Sequence, residues 1–324
     1  MHFKPASLLA AGAFVLSSVF ATSAVAQYPD RALRMVVPQA AGSSTDNSAR
    51  VVASELSKVI GQPIVIDNKP GGGFVIGNDA VAKSAPDGYT ILAANIGGFA
   101  IAPNLMAKLP YDLDKDFQPI RQMQMSHLML IVSPKRDFKS IQELIDYAKA
   151  NPGKLSHASS GSGSPGHVGA ELFKHMAGID AVHVPYKGGA AAISDLIAGR
   201  VDFMFESLSS SSPHAKAGNV RALGVSGEAR SPAFPDVPRI GEVVKGYLAP
   251  TWSGIIAPAG MPKEVVTKLH AALDEVSKSP SYIDFVTKTG NEPVSSTPEA
   301  FADFIRKERA KWKAVVDRAG IKLN

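Results

Sequence analysis

Two stretches of this chain alternate short apolar runs with helical periodicities, and that alternation restricts the fold more than any single motif does. LRMVV (33–37), PIVIDN (63–68) and YTILAAN (89–95) read as strands. Between them, TDNSARVVASELSKVI (45–60) places Val51, Val52, Leu56, Val59 and Ile60 on one helical face, and FVIGNDAVAKSAP (74–86) reads as a helix ending before Pro86. A β-α-β-α-β succession calls for a parallel sheet covered by helices. KLPYDLDKDFQP (108–119) breaks the rhythm with Pro110, Pro119 and alternating charge, as a surface connection does.

The alternation then restarts. LMLIVSP (128–134), LSHASS (155–160), AVHVPY (181–186), VDFMFE (201–206) and VRALGVS (220–226) read as strands. SIQELIDYAKA (140–150), with the capping-box pair Ser140 and Glu143, GHVGAELFKHMAG (166–178) and AAAISDLIAG (190–199) read as helices. A loop carrying Pro232, Pro235 and Pro238 follows, and the C-terminal part reads as mainly helical. Its last helix runs from Thr297-Pro298-Glu299 to Ala319, with Phe301, Phe304, Ile305, Trp312, Val315 and Val316 on one face and Gly320 as C-cap. No fixed-period repeat is visible, and the two α/β stretches make two lobes of similar construction. A length of 324 residues, 45% of them hydrophobic, suits about two domains of roughly 150 residues each.

The N-terminus predicts export. Lys4, the apolar run LLAAGAFVLSSVF and the small-x-small triplet Ala24-Val25-Ala26 form a signal peptide cleaved after Ala26, so the mature periplasmic chain is expected to start at Gln27. No other run reaches the ~18 apolar residues of a spanning helix. With no cysteine, the exported chain must hold together by its core rather than by disulfides. Net charge is +5 without a Lys/Arg-rich run or an aromatic-interleaved basic stripe, which gives nucleic-acid binding no support.

Two loops join strand to helix in the same way, one per lobe. The first is Pro38-Gln39-Ala40-Ala41-Gly42-Ser43-Ser44-Thr45-Asp46, and the second Ala158-Ser159-Ser160-Gly161-Ser162-Gly163-Ser164-Pro165-Gly166-His167. Helix starts expose N–H groups and carry partial positive charge, so each is an anion site without a lysine or arginine. The bland reading of the first loop is a helix N-cap by Ser44 or Thr45. A phosphate P-loop is excluded because GxxxxGK[ST] is absent. Gly161, Gly163 and Gly166 spell GxGxxG, but the next strand ends in Pro185-Tyr186-Lys187-Gly188 without the acid a dinucleotide ribose needs. A small carboxylate held between lobes by main-chain N–H groups, hydroxyls and water fits both loops. Asn95 and Gly97 end the third strand, where α/β sheets place ligands. Tyr186 and Lys187 belong either to the cleft or to an ordinary turn. Glu206 either accepts from a ligand amine or is a solvated acid.

Catalysis finds little support. No GxSxG elbow exists, and His157, His167, His175 and His183 show no metal-ligand spacing. His167 lies in the first turn of a helix, where a capping or packing role is expected. No cofactor and no metal is expected.

LRMVVPQAAGSSTDNSARVVASELSKVIGQPIVIDNKPGGG resembles the start of a mature Bug-type solute-binding protein, the periplasmic receptor family (TctC-like) of tripartite tricarboxylate transporters. The likeness continues through SAPDGYTIL, KLPYDLDKDFQPI, AKANPGKLSHASSGSGSPGH, VHVPYKG, GRVDFMFE, RALGVS, APAGMP and STPEAFADFIRKERAKWKAVVDRAGI, over essentially the whole mature chain. The resemblance implies a two-lobed α/β periplasmic-binding-protein fold of type II with the ligand cleft between lobes. Lobe one would hold 27–125 plus about 250–324 and lobe two 126–249, with a hinge near 122–127 and a return crossing within 227–252. The implied ligand is a di- or tricarboxylate, acidic amino acid or aromatic acid. The implied partners are integral-membrane transporter subunits or a sensor protein, around a monomer. On matching positions the resemblance carries over Ala41, Gly42, Ser43, Thr45 and Asp46 from the first loop, and Ser159, Ser160, Gly161 and, more weakly, His167 from the second. Three departures bear on specificity: Gln39 replaces an aromatic residue, Ser43 a second glycine, and Glu206-Ser207 an Asp-Asn pair.

Overall fold

The computed structural model describes the continuous stretch 28–320, so the expected signal peptide and its expected cleavage after Ala26 lie outside the described residues. β1 (Leu33–Val37), α1 (Ser44–Ile60), β2 (Ile64–Asn68), α2 (Val75–Ala82) and β3 (Thr90–Asn95) form the first α/β unit, with β1 parallel to both β2 and β3. A π-helical turn (Gly97–Ile101) and α3 (Ala102–Leu105) lead to β4 (Phe117–Ser126). The second unit comprises β5 (Leu128–Val132), α4 (Ile141–Ala150), β6 (Leu155–Ser159), α5 (Pro165–Ala177), β7 (Ala181–Pro185), α6 (Gly189–Ala198), β8 (Phe203–Ser207), α7 (Leu208–Lys216) and β9 (Arg221–Val225). After α8 (Ile240–Val243) come β10 (Thr251–Pro258), α9 (Lys263–Lys278), α10 (Pro280–Lys288), β11 (Glu292–Pro293) and α11 (Pro298–Ala319).

Two sheets result: a six-stranded one in the order β11-β4-β10-β3-β1-β2 and a five-stranded one in the order β7-β6-β8-β5-β9. This is the expected two-lobed α/β architecture, but the sheets are not purely parallel. β10 runs antiparallel between β3 and β4, and β5 runs antiparallel to β8 and β9. The chain leaves the first sheet between Ser126 and Leu128 and returns to it between Val225 and Thr251. α11 packs on β4, on the π-helical turn and on α5, and so spans both sheets.

Local chemistry sets the helix ends. The Ser43 side chain caps α1 by accepting from Asp46 N–H, in place of the expected Ser44 or Thr45. The buried stripe of α1 is Ala49, Val52, Ala53 and Leu56, whereas Val59 is 38% exposed. α1 begins one turn after a strand end, so its small alanines, not its last valine, meet the sheet. Ser140 caps α4, while Glu143 reaches back to Lys139 N–H rather than to Ser140. Thr297 and Gly320 cap α11 as expected. Among the described residues no helix is long and apolar enough to cross a membrane.

The sequence reading misses α7, β10 and β4, whose first residues, Phe117–Pro119, it assigned to a surface connection. α7 is a serine run with Pro213 inside it, and β10 carries Ser253 and Gly254, so neither shows a clean period. Gly254 is required where β10 crosses α11, because a Cβ there would lie 2.5 Å from the Phe301 ring.

Candidate functional site

The first loop is tied down by Asp46. This side chain is only 1% exposed and accepts from Gly42 N–H (2.8 Å), Arg50 Nε (2.9 Å) and Asn68 Nδ2 (2.9 Å). Burial opposes the charge, yet the bonds from Arg50, Gly42 and Asn68 hold the carboxyl below its ordinary range. Asn68 also donates to the Gln39 carbonyl at 3.0 Å. Gly42, at φ 78°, supplies the left-handed turn that aims its N–H at Asp46. With the loop fixed from behind, Ser44 and Thr45 are left facing the gap between the sheets. Thr45 Oγ1 accepts from Asn95 Nδ2 at 3.0 Å, and Asn95 Oδ1 accepts from Gly98 N–H at 3.1 Å.

The second loop is tied down by histidines. Ser159 Oγ accepts from Gly161 N–H (3.2 Å) and lies 2.7 Å from His183 Nε2. His167 Nδ1 accepts from Gly163 N–H at 3.2 Å, and its ring stacks on His183 with centroids 4.0 Å apart. Burial pushes His167 down to about 4 and His183 to about 3, so both are neutral near pH 7. Behind them His157 Nε2 meets Glu171 at 2.9 Å, and Lys174 closes the set. Burial opposes ionisation of Glu171, but the bonds from His157 and Lys174 hold it down at about 2. Ser159 with His183 has the spacing of a nucleophile and its base. Ser159 is nevertheless fully buried and the depressed imidazole is a poor base.

These loops enclose two adjoining cavities. The smaller, about 50 Å³, lies among the starts of α1 (Ser44, Thr45), α5 (Pro165, Gly166) and α7 (Ser207, Ser209). Its floor comes from β4 and β10 through Gln124, Ser126, Thr251 and Ser253. Among the described residues no lysine or arginine lines it. Two atoms of lining residues, Gln124 Oε1 and Trp252 Nε1, are buried without a hydrogen-bond partner. The larger cavity, about 390 Å³, is walled by Gln39 and Ala40, the turn Gly71–Phe74, Ser160 and Gly161, and Tyr186 and Lys187. Gln39 and Ser160 line both.

Glu206 also lines the small cavity. It is 6% exposed, so the solvated-acid reading is corrected: sheet pairing to β5 and the approach of α6 take it out of water. Burial pushes its carboxyl up to about 7, against one opposing bond from Ser207 N–H at 2.9 Å. A Cβ on Gly189 would lie 2.7 Å from its Oε2, so a larger residue at the start of α6 would have to displace the Glu206 carboxyl.

Of the residues singled out from sequence, Gln39, Thr45, Asn95, Ser160 and Glu206 line the small cavity, and Gln39, Ser43, Ser160, Gly161 and Tyr186 line the larger. Ala41, Gly42, Asp46, Gly97, Ser159 and His167 line neither. Asp46, Ser159 and His167 brace the loops from behind. Gly97 lies under Phe74, whose ring would be 2.5 Å from a Cβ there. Residues that sequence reasoning passed over come from the unrecognised β10 and α7, and from KPGGG, which reads as turn material but forms a cavity wall. Phe74, the one described non-glycine residue at positive φ (77°), ends that wall and was a sequence-silent signal.

Two α/β lobes with helix starts converging on a polar gap give the architecture of the periplasmic solute-receptor class of binding proteins. The chain belongs to the tripartite tricarboxylate transporter receptor family (TctC), whose model matches residues 48–321. BugT of Bordetella pertussis is 35% identical over 96% of this chain and 97% of its own length. The structure of R. palustris Rpa4515 with adipate is 35% identical, with TM-score 0.87 over 91% of this chain and 99% of that one. MatC from Rhodopseudomonas palustris with bound malate is 31% identical, with TM-score 0.85 over 89% of this chain and 100% of that one.

Proposed function

We propose that this protein captures a small carboxylate, foremost a dicarboxylate, between its lobes and delivers it to the membrane subunits of a tripartite tricarboxylate transporter. The observation that carries the reading is the convergence of three helix starts on a polar cavity without a cationic side chain. Such a site favours an anion small and flat enough to take main-chain N–H groups. The adjoining larger cavity has room for the body of the ligand, and Lys187 in its wall complements a second carboxylate. Adipate in Rpa4515 and malate in MatC are acids of this kind. The proposed lobes are 27–125 with about 250–324, and 126–249, hinged near 122–127 and in the return segment. They close as a monomer on the ligand, which shifts the open–closed balance only by its differential affinity.

A thermal-shift panel of succinate, adipate, malate, citrate, glutamate and benzoate, with sugars and amines as controls, tests the reading. An acid at ~100 times its dissociation constant stabilises by about 2.7 kcal/mol, and the effect should be confined to carboxylates. Because helix starts hold one carboxylate and, among the described lining residues, only the exposed Lys187 meets the other, affinity should fall mildly with added salt, by the screening of a single ion pair. Stabilisation by sugars or amines alone, or a steep salt dependence, would count against it.

A further inference from the structure

The small cavity is built for a single negative charge. The starts of α1, α5 and α7 supply partial positive charge, each equivalent to roughly half an elementary charge. One wall already holds the Glu206 carboxyl, buried and, among the described residues, bonded only to Ser207 N–H. A ligand carboxylate placed there meets a second carboxyl with no cation between them. Two carboxyls sharing a water-poor site cannot both stay ionised, and one keeps a proton. We propose that Glu206 carries a proton whenever this protein holds a carboxylate, taking it up from water on binding wherever the free protein has Glu206 ionised, and donates it as a hydrogen bond to the ligand. The inference rests on the carboxylate reading above and deepens it.

No charged group nearby offers another solution. β5 and β10 carry no titratable side chain. On β4, Arg121 pairs with Asp274 at 2.8 Å, and Asp202, just before β8, pairs with Arg136 at 2.6 Å. His127, between β4 and β5, faces Glu292 at 3.6 Å. On α1, Asp46 is closed by Arg50, and on α6, Asp195 is closed by Tyr186 and Arg200. His157 of β6, Glu171 and Lys174 of α5 form their own set, while His167 and His183 hold the second loop. His214 and Lys216 lie at the far end of α7, with Lys216 bonded to the Lys288 carbonyl. Lys187, ahead of α6, lines the larger cavity rather than the small one. Burial has already lifted Glu206 to about 7, so protonation near neutrality needs little further help.

Titration calorimetry of the intact protein with adipate and malate, in phosphate and in Tris between pH 7 and 8.5, decides the matter. Both acids are fully ionised in this range, so ligand titration adds nothing. The buffer dependence of the heat should report uptake of about half a proton at pH 7 and about nine-tenths at pH 8, with affinity weakening about fivefold between them. Glu206→Gln should bind without uptake, with a flat pH profile, and about tenfold tighter than wild type at pH 8. Glu206→Asp, which keeps a carboxyl, should keep the uptake. Binding of either acid with buffer-independent heat would overturn the proton but leave the carboxylate reading intact. Uptake that persists in Glu206→Gln would move the proton to another group and overturn the assignment. Glutamate bound more tightly than the diacids, without uptake, would give Glu206 to a ligand ammonium instead. Failure of adipate, malate and every other acid of the thermal panel to bind would remove the carboxylate reading and this inference together.

Discussion

Gly166→Ala should cost about 3 kcal/mol of stability and abolish carboxylate binding. Taken locally, the change favours folding, because alanine is better than glycine inside a helix by about 1 kcal/mol. The cost is tertiary. A Cβ on Gly166 would lie 2.2 Å from the Phe205 carbonyl oxygen and 3.3 Å from its carbonyl carbon, both main-chain atoms of β8. β8 is held between β5 and β6 and cannot retreat. α5 must therefore back away, carrying its N–H groups and Ser160 from the small cavity. Urea unfolding and calorimetry with adipate measure the two effects. A variant that unfolds at the wild-type midpoint and still binds would mean that α5 does not press on β8 where the geometry places it.

Asp46→Ala should cost about 2–3 kcal/mol. The substitution leaves Gly42 N–H without its acceptor and the Asn68 amide with the Gln39 carbonyl alone, while Arg50, half exposed, is free to find water. The sign with pH follows from the lowered carboxyl. A group held below its unfolded value near 3.8 stabilises above that value, and the contribution is lost as pH falls through its folded value. The wild-type protein should lose this contribution below about pH 4, and the alanine variant should lack that part of its acid limb. Because Asp46 lines neither cavity, adipate affinity should fall only about tenfold, through loosening of Gln39 and Ser44, with the wild-type pH profile unchanged. An altered profile would instead put Asp46 in contact with the ligand. Glu206→Gln and Asp46→Ala thus separate an acid that titrates with the ligand from one that braces the loop.

Much of the fold was legible because its signals are local. Strand runs such as LRMVV and YTILAAN, and caps such as Ser140, Thr297 and Gly320, act within a few residues of themselves. What was not legible had no local signal. β10 reads as a mixed run interrupted by Gly254, and the glycine is explained by α11 and the Arg121 carbonyl of β4 packed against it. The site divides the same way. Gln39, Thr45, Asn95 and Ser160 reach cavities because strand-to-helix loops open at the sheet edge. Asp46, Ser159 and His167 sit in those same loops and turn inward, which side-chain pattern alone does not announce.

By itself the sequence determined two α/β units and the helix starts at two small-residue loops, since periodicity and capping are written in neighbouring residues, while the receptor family was carried by the matching motifs. Only the tertiary structure decided which face of each loop lines the cavities. It placed β10 antiparallel between β3 and β4, adding Thr251 and Ser253 to the cavity floor. It also brought Gly189 against Glu206 and sealed that acid from water. Whether a carboxyl at a strand end carries charge depends on its desolvation, and desolvation is set by segments that meet only when the chain has folded.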